Sequence, residues 1–190
     1  MAAGTPDLHG GPHGHAVLFY QDDGELAGQV SAHLLEALRA GGVAVVIATP
    51  AHRAAIAAEL ARAGADVATA QSDGRYVALD AIETMGRFMV ADWPNAASFW
   101  QAISPVLRRA AGAGKPVHMF GEMVALLWDL GQVNAAIEVE AMWNEIGAQY
   151  PFSLLCGYPA GSVSGAAHQD ALAEVCRVHA AAVGDIPGQA

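Results

Sequence analysis

The chain has 190 residues, of which 54% are hydrophobic and only 15% are charged. Intrinsically disordered chains have the opposite balance, so this composition indicates a folded protein, and the length suits one domain. The 19 acidic and 9 basic residues give a formal charge of −10 at pH 7. This charge argues against direct binding of nucleic acid, because phosphate neutralisation requires clustered lysine and arginine.

The first third of the chain alternates between strand and helix patterns. Residues 1–14 are rich in glycine and proline and have no periodicity, which predicts a flexible tail. A short apolar run predicts a buried strand over 16–20, and apolar residues at helical spacing predict a helix over 26–38. The β-branched run 43–49 gives the clearest strand, and a helix follows over 50–64.

The middle third is less regular. Two segments compete for the next strand, 66–70 and 75–79, and the pattern does not separate them. Residues 80–90 predict a helix, and 92–95 predict a turn. The helix after that turn contains Pro105, which we expect to kink it.

The last third contains two apolar strands and three helices, with a glycine- and serine-rich loop before the final helix. In chain order we predict a strand over 116–120, helices over 122–130 and 133–148, a strand over 152–156 and a helix over 169–183. Together with the preceding elements these form one domain over 15–183, followed by a short tail over 184–190. We expect Trp128 and Trp143 to pack in its core.

Strands that alternate with helices predict an α/β fold, with a three-layer arrangement in which helices cover both faces of a mostly parallel sheet. Ligands in such sheets bind at the carboxyl ends of the strands. This rule selects Tyr20, Gln21, Glu122 and Tyr158 as candidate ligand contacts, and we add His118 from the strand before Glu122. For His118 two interpretations stay open, a hydrogen-bonded core residue or a ligand contact.

The turn after the first strand does not have the composition of a phosphate-binding loop. It lacks the G-x-x-x-x-G-K-[ST] pattern, and Asp22, Asp23 and Glu25 would repel a polyphosphate. The single lysine of the chain, Lys115, is remote in sequence. We therefore expect no binding of a nucleoside triphosphate and no ATP hydrolysis.

No pattern indicates catalysis or a metal centre. No nucleophile and base stand at a readable spacing, so we predict no catalytic residues, no cofactor and no enzyme activity. His9, His13 and His15 lie near the start and could hold a metal weakly, but a glycine-rich tail costs entropy to organise. We therefore predict no metal site.

The cysteine content and the N-terminus indicate the compartment. Cys156 and Cys176 are too few for a disulfide framework, so we expect two reduced thiols. The sequence has no signal-peptide pattern and no apolar run long enough to span a membrane. We expect a cytoplasmic protein that does not associate with membranes.

An ordered set of segments resembles the sensory domain called MEDS, named from methanogens, methylotrophs and the dichloromethane-responsive repressor DcmR. The resemblance covers about residues 15–180. It is carried by residues 15–20, by the helix, Gly41-Gly42 and strand over 34–47, and most strongly by 117–128, Gly131, 140–144 and 152–159.

This resemblance implies a sensory, non-catalytic domain, with a fold similar to the RecA/KaiC ATPase core but without a functional phosphate loop. Members of the family are often attached to histidine kinases, other regulators or DNA-binding domains, and are thought to sense small organic molecules. The chain differs at His118, where many relatives have arginine. Since 190 residues leave no room for an output module, we expect the signal to leave through a partner protein.

The resulting hypothesis is a cytoplasmic sensory domain that binds a small organic ligand and relays to a histidine kinase or other regulatory protein. One alternative is a nucleotide-binding, ATPase-like protein. Another is an interaction domain that holds no ligand. Self-association into a homo-oligomer is compatible with each of them.

Overall fold

A computed structural model describes residues 14–112 and 114–187. Within these residues a six-stranded sheet has the order β3-β2-β6-β7-β1-β8, and every pairing in it is parallel. A separate two-stranded hairpin joins β4 to β5. The strands are β1 (His15–Tyr20), β2 (Val43–Ala48), β3 (Tyr76–Asp80), β4 (Met89–Val90), β5 (Trp93–Pro94), β6 (Val117–Gly121), β7 (Ser153–Pro159) and β8 (Ala181–Val183).

Helices cover both faces of the sheet and give the predicted three-layer α/β arrangement. One face carries α1 (Asp23–Arg39), α2 (Pro50–Arg62) and α3 (Val67–Ser72). The other face carries α4 (Ala81–Met85), α5 (Ala96–Ala111), α6 (Met123–Asp129), α7 (Val133–Gly147), α8 (Ala160–Val163) and α9 (Gln169–Val178).

The central strands are buried on both faces, which explains their continuous apolar runs. Every residue of β1 and of β2 is buried. Side chains alternate between the two layers, so that Val17 and Phe19 face α5–α7 while Leu18 and Tyr20 face α1. Trp128 and Trp143 are buried in the α5–α7 layer, as expected.

The turn from α1 into β2 shows why its two glycines are needed. Gly41 has φ +70°, a left-handed conformation that terminates the helix without steric cost. A Cβ atom on Gly42 would lie 2.1 Å from the carbonyl oxygen of Pro116, at the start of the neighbouring strand β6. This close approach lets β2 begin in register with β6.

The third strand forms in the later of the two candidate segments, 75–79, and not in 66–70. Residues 76–80 form β3, whereas 67–72 form the short helix α3. Asp66 determines this outcome locally, because its carboxylate accepts the N–H of Thr69 and caps the helix.

The predicted helix over 80–90 is wrong beyond its first turn. Only Ala81–Met85 is helical, and the chain then forms the β4–β5 hairpin. Ala91 and Asp92 adopt positive φ values of 49° and 62° at its turn. The turn lies at 91–92, so the predicted turn over 92–95 is wrong at Trp93 and Pro94, which form β5. Asn95 caps α5, which runs through Pro105 to Ala111.

The end of the chain also differs from the prediction. The last helix ends at Val178, and Ala181–Val183 forms the edge strand β8 beside β1. Alanine suits a helix, but pairing with β1 satisfies backbone groups that would otherwise lie at a sheet edge. Residues 160–163 form α8 in place of the predicted loop.

The predicted tails lie partly outside the described residues. Of the segment 1–14 only Gly14 is described, and its carbonyl accepts the N–H of Leu154 in β7. Ile186, within the predicted tail 184–190, packs against the core. No helix among the described residues is both long enough and apolar enough to cross a bilayer.

Candidate functional site

Three strands bring polar groups to the carboxyl edge of the sheet. Tyr20 is the last residue of β1, Thr49 follows β2, and Glu122 follows β6. Of the five predicted contacts, Tyr20, Gln21 and Glu122 lie at this edge. This placement follows from parallel pairing, which puts the carboxyl ends of the strands side by side.

Glu122 is the centre of this edge. Its side chain is only 3% exposed, and its carboxylate accepts the backbone N–H of Thr49 and pairs with Nδ1 of His52. The same imidazole reaches Oδ1 of Asp23 through Nε2, at 3.3 Å. His52 therefore links a buried carboxylate to an exposed one. We call Tyr20, Asp23, His52 and Glu122 the edge cluster.

The edge cluster places an imidazole of raised pKa between two carboxylates. The hydrogen bond to Glu122 raises the pKa of His52 above its usual value, so the imidazolium form is favoured. Tyr20 meets the His52 ring edge-on, with centroids 6.5 Å apart. Burial, followed by the charge of Glu122, raises the pKa of Tyr20, so its phenol stays protonated.

Carboxylates of the chain accept hydrogen bonds from backbone N–H groups in the first turn of α1 and just before it. Oδ1 of Asp22 accepts the N–H of Glu25 at 2.9 Å, and Oε2 of Glu25 accepts the N–H of Gln21 at 2.8 Å. In a phosphate-binding loop the equivalent N–H groups face the ligand. Here the chain supplies its own anions at those positions. The side chain of Gln21 is exposed beside them.

His118 does not lie at the carboxyl edge. It is the second residue of β6, near the amino end of the strand, and its ring stacks on that of His33 in α1 at 4.5 Å. Its Nδ1 donates to the carbonyl of His33 at 2.7 Å. Of the two interpretations left open, this geometry matches the hydrogen-bonded core residue.

Tyr158 also lies away from the edge, although it is close to the end of β7. Its side chain points into the α5–α7 layer and is fully buried. The hydroxyl donates to Oε1 of Glu140 at 2.9 Å. The expectation that its polar group lies at the rim is wrong, because side-chain alternation along β7 turns residue 158 inward.

Glu140 belongs to a second, buried group of polar side chains between the sheet and α7. One donor atom from each member lies within 4.8 Å of all the others. We call this group the inner cluster: His15, Glu140, Cys156 and His179. The Nε2 atom of His15 lies 3.1 Å from Oε2 of Glu140 and 3.2 Å from Sγ of Cys156. The Nε2 atom of His179 lies 3.5 Å from Oε2 of Glu140.

The inner cluster has strongly perturbed ionisation. Burial works to raise the pKa of Glu140, but the charge of His179 and the close approach of both imidazoles outweigh burial and hold this pKa below its usual value. Burial, together with the charge of Glu140, raises the pKa of the Cys156 thiol well above its ordinary value. For His179 burial opposes the charged form, yet the Glu140 charge raises the pKa.

A surface cavity of about 300 Å³ opens beside the inner cluster, at the amino edge of the sheet. Its lining includes His15, Asn144, Phe152 and Ala180. His15 thus contributes one face to the buried group and another to this cavity.

Sequence reasoning missed His52 and most of the inner cluster. His52 is the third residue of α2, whose start at residue 50 was predicted, but a place in the first turn of a helix does not indicate that its imidazole meets Glu122. His15 was weighed only with His9 and His13, which lie outside the described residues. Strand alternation puts Cys156 on one face with Tyr158, but no local pattern predicts that Glu140 and His179 join them.

Comparison with known proteins gives one family. The model described as MEDS, the methanogen/methylotroph, DcmR sensory domain, matches residues 14–180. No curated protein matches the chain.

Proposed function

The chain belongs to the MEDS family of sensory domains, because the family model covers most of its length, and we propose that it is a cytoplasmic, non-catalytic receptor for a small organic molecule. The ligand binds at the carboxyl edge against Tyr20, Gln21, Glu122 and His52. The observation that carries this proposal is that the carboxylates of Asp22 and Glu25 accept the N–H groups of Glu25 and Gln21, in the first turn of α1 and just before it, next to the polar edge cluster.

The chemistry of the edge limits the ligand class. Carboxylates at positions 22, 23, 25 and 122 disfavour an anion. The Tyr20 ring and the His52–Glu122 pair offer one aromatic edge and a set of hydrogen-bonding groups. These features suit a small, largely apolar molecule that has one neutral or cationic hydrogen-bonding group, such as a short alcohol or amine.

The same contacts suggest how binding is relayed. Asp23 begins α1, His52 lies in the first turn of α2, and Glu122 precedes α6. A ligand that replaces the His52–Asp23 contact changes how these helix starts are held together. Only a difference in ligand affinity between two such arrangements shifts their equilibrium. A histidine kinase or another regulator that contacts α1 and α2 reads that shift.

Thermal shift measurements against short alcohols, amines and amides test the binding step. We expect at least one class to raise the melting temperature of the wild-type chain, and His52→Gln and Glu122→Gln to abolish that increase. His118→Gln serves as the matched control, because His118 is a histidine of β6 that lies away from the carboxyl edge and stacks on His33. Loss of the response in His118→Gln alone would contradict the assignment of the edge.

Hydrogen exchange tests the relay. In the presence of a stabilising compound we expect altered protection in the first turns of α1 and α2, with β7 unchanged. The nucleotide-binding alternative makes a different prediction, since it requires MgATP to bind in isothermal titration. Tight MgATP binding would show that phosphate displaces the carboxylates at the start of α1, and the proposal would fail.

A further inference from the structure

The geometry of the inner cluster points to a metal site, and we propose that it binds one divalent transition-metal ion, with Zn²⁺ as the best match. The four side chains supply two imidazole nitrogens, one thiol sulfur and one carboxylate oxygen. This proposal is independent of the ligand proposed for the carboxyl edge.

Hydrogen bonds outside the cluster turn both imidazoles toward its centre. Nδ1 of His179 lies 2.6 Å from the carbonyl of Val175, which can only accept, so that nitrogen carries the proton. Nδ1 of His15 lies 3.0 Å from Oδ1 of Asn144, whose amide nitrogen in turn donates to the carbonyl of Val178. When the imidazoles are neutral, both Nε2 atoms present a lone pair to the centre of the cluster, as in metal-binding histidines.

Glu140 is held in the same way. Tyr158 donates to Oε1, and this leaves Oε2 directed at the two histidines. Neither Oε2 of Glu140 nor Nε2 of His179 has a hydrogen-bond partner of acceptable geometry among the described residues. A proton on the imidazole or a metal cation can supply the positive charge that this carboxylate oxygen and this nitrogen need between them, and a metal ion that binds here would take the place of the proton.

The donor spacing fits a tetrahedral ion. A zinc site with bonds of about 2.0–2.3 Å places its ligand atoms roughly 3.3–3.8 Å apart. Three of the six donor separations in the cluster are 3.1, 3.2 and 3.5 Å, and all six are within 4.8 Å. The donors must therefore shift by up to about 1 Å to surround the ion.

Charge balance and donor type select the ion. Glu140 as carboxylate and Cys156 as metal-bound thiolate would carry two negative charges, which a divalent cation neutralises; both of these side chains are fully buried. One oxygen donor is too few for Mg²⁺ or Ca²⁺, which take mainly oxygen ligands. Sulfur and imidazole donors suit Zn²⁺, and also Co²⁺ as its spectroscopic substitute.

Such an ion would join distant parts of the chain. It links the start of β1 and the middle of β7 to α7 and to the segment between α9 and β8. The chain end from α9 onward would then be fixed to the sheet by coordination in addition to packing. Binding to the folded state alone stabilises it.

The test uses the full chain, freed of metal with a chelator and then titrated with Zn²⁺ or Co²⁺. We expect one ion per chain, an increased melting temperature and, with Co²⁺, tetrahedral ligand-field bands together with a thiolate-to-cobalt charge-transfer band. Absence of stoichiometric binding, or a Co²⁺ spectrum without the thiolate band, would overturn the proposal.

Variants identify the ligands. Cys156→Ser should remove the thiolate band and weaken Zn²⁺ binding roughly 100-fold or more, whereas Asn144→Ala, which removes only the support of His15, should weaken it by roughly 10–100-fold. Cys176→Ser is the matched control for the thiol, because Cys176 lies outside the cluster. The double variant His9→Ala/His13→Ala excludes binding by the first residues of the chain.

The controls make each outcome decisive. Both control variants should keep the wild-type affinity and the wild-type Co²⁺ spectrum. If the His9/His13 variant loses the ion, or if Cys156→Ser binds as tightly as the wild type, the inner cluster is not the site. If Cys156→Ser does not fold, the wild-type spectrum and Asn144→Ala still decide.

Discussion

Gly157→Ala should destabilise the protein through one close contact. Gly157 lies inside β7, and a Cβ atom there would lie 2.9 and 3.2 Å from two carbons of the Phe120 ring and 3.5 Å from Leu26. Phe120 and Leu26 are fully buried, so neither has free space into which it could move. Overpacking of this kind costs about 1–3 kcal/mol.

For a domain of this size that cost corresponds to a melting temperature lower by about 2–12 °C, measured by calorimetry or circular dichroism. Gly28→Ala is the matched control, because Gly28 lies in α1 and a Cβ atom there meets nothing within 4 Å. Alanine in a helix is favoured over glycine by about 0.5–1 kcal/mol, so this variant should be more stable than the wild type. A Gly157→Ala protein as stable as the wild type would refute the packing argument.

Three other changes have defined outcomes. The hydrogen bond to Glu122 raises the pKa of His52 in the folded state, and Asp23 also faces the ring. The protonated ring therefore stabilises the fold fully below the unfolded pKa of 6.5, and this contribution disappears as the pH rises through the folded pKa. The unfolding free energy of wild type minus His52→Gln, from urea titrations, should thus fall with increasing pH, and a rise would contradict the assigned pair. Tyr158→Phe leaves Oε1 of Glu140 without its buried donor and should cost about 1–3 kcal/mol in chelator-treated protein, whereas an unchanged urea midpoint would show that the hydrogen bond is absent. Asp22→Ala removes the cap of α1 and should cost about 0.5–2 kcal/mol, with increased amide exchange at Glu25; unchanged exchange there would contradict the capping assignment.

Several features were predictable because they depend on local pattern plus one general rule. The β-branched run 43–49 forms β2 over Val43–Ala48, and the alternation of strands and helices gives the layered α/β fold. Tyr20 and Glu122 lie at one edge because carboxyl ends of parallel strands coincide. The acidic turn after β1 was expected to disfavour a polyphosphate, and the structure adds that Asp22 and Glu25 accept the N–H groups of Glu25 and Gln21 there. The family resemblance is confirmed by the match over residues 14–180.

Short segments of ambiguous pattern were not predictable in this way. The β4–β5 hairpin depends on positive φ values at Ala91 and Asp92. Aspartate adopts this conformation more often than most residues, but alanine rarely does, so the sequence contained little indication of the turn. Ala181–Val183 is a strand only because β1 offers it an edge. In both cases tertiary contacts outweigh propensities that differ by less than about 1 kcal/mol per residue.

The sequence by itself determined the layered architecture, the edge at which Tyr20 and Glu122 lie, and the acidic composition of the turn before α1. Tertiary structure alone decided that His118 and Tyr158 lie elsewhere, and that His15, Glu140, Cys156 and His179 come within 4.8 Å of one another. The physical reason is separation along the chain. Periodicity sets the face on which a side chain lies, whereas only the packing of α7 and the chain end against β1 and β7 sets which residues share a buried site.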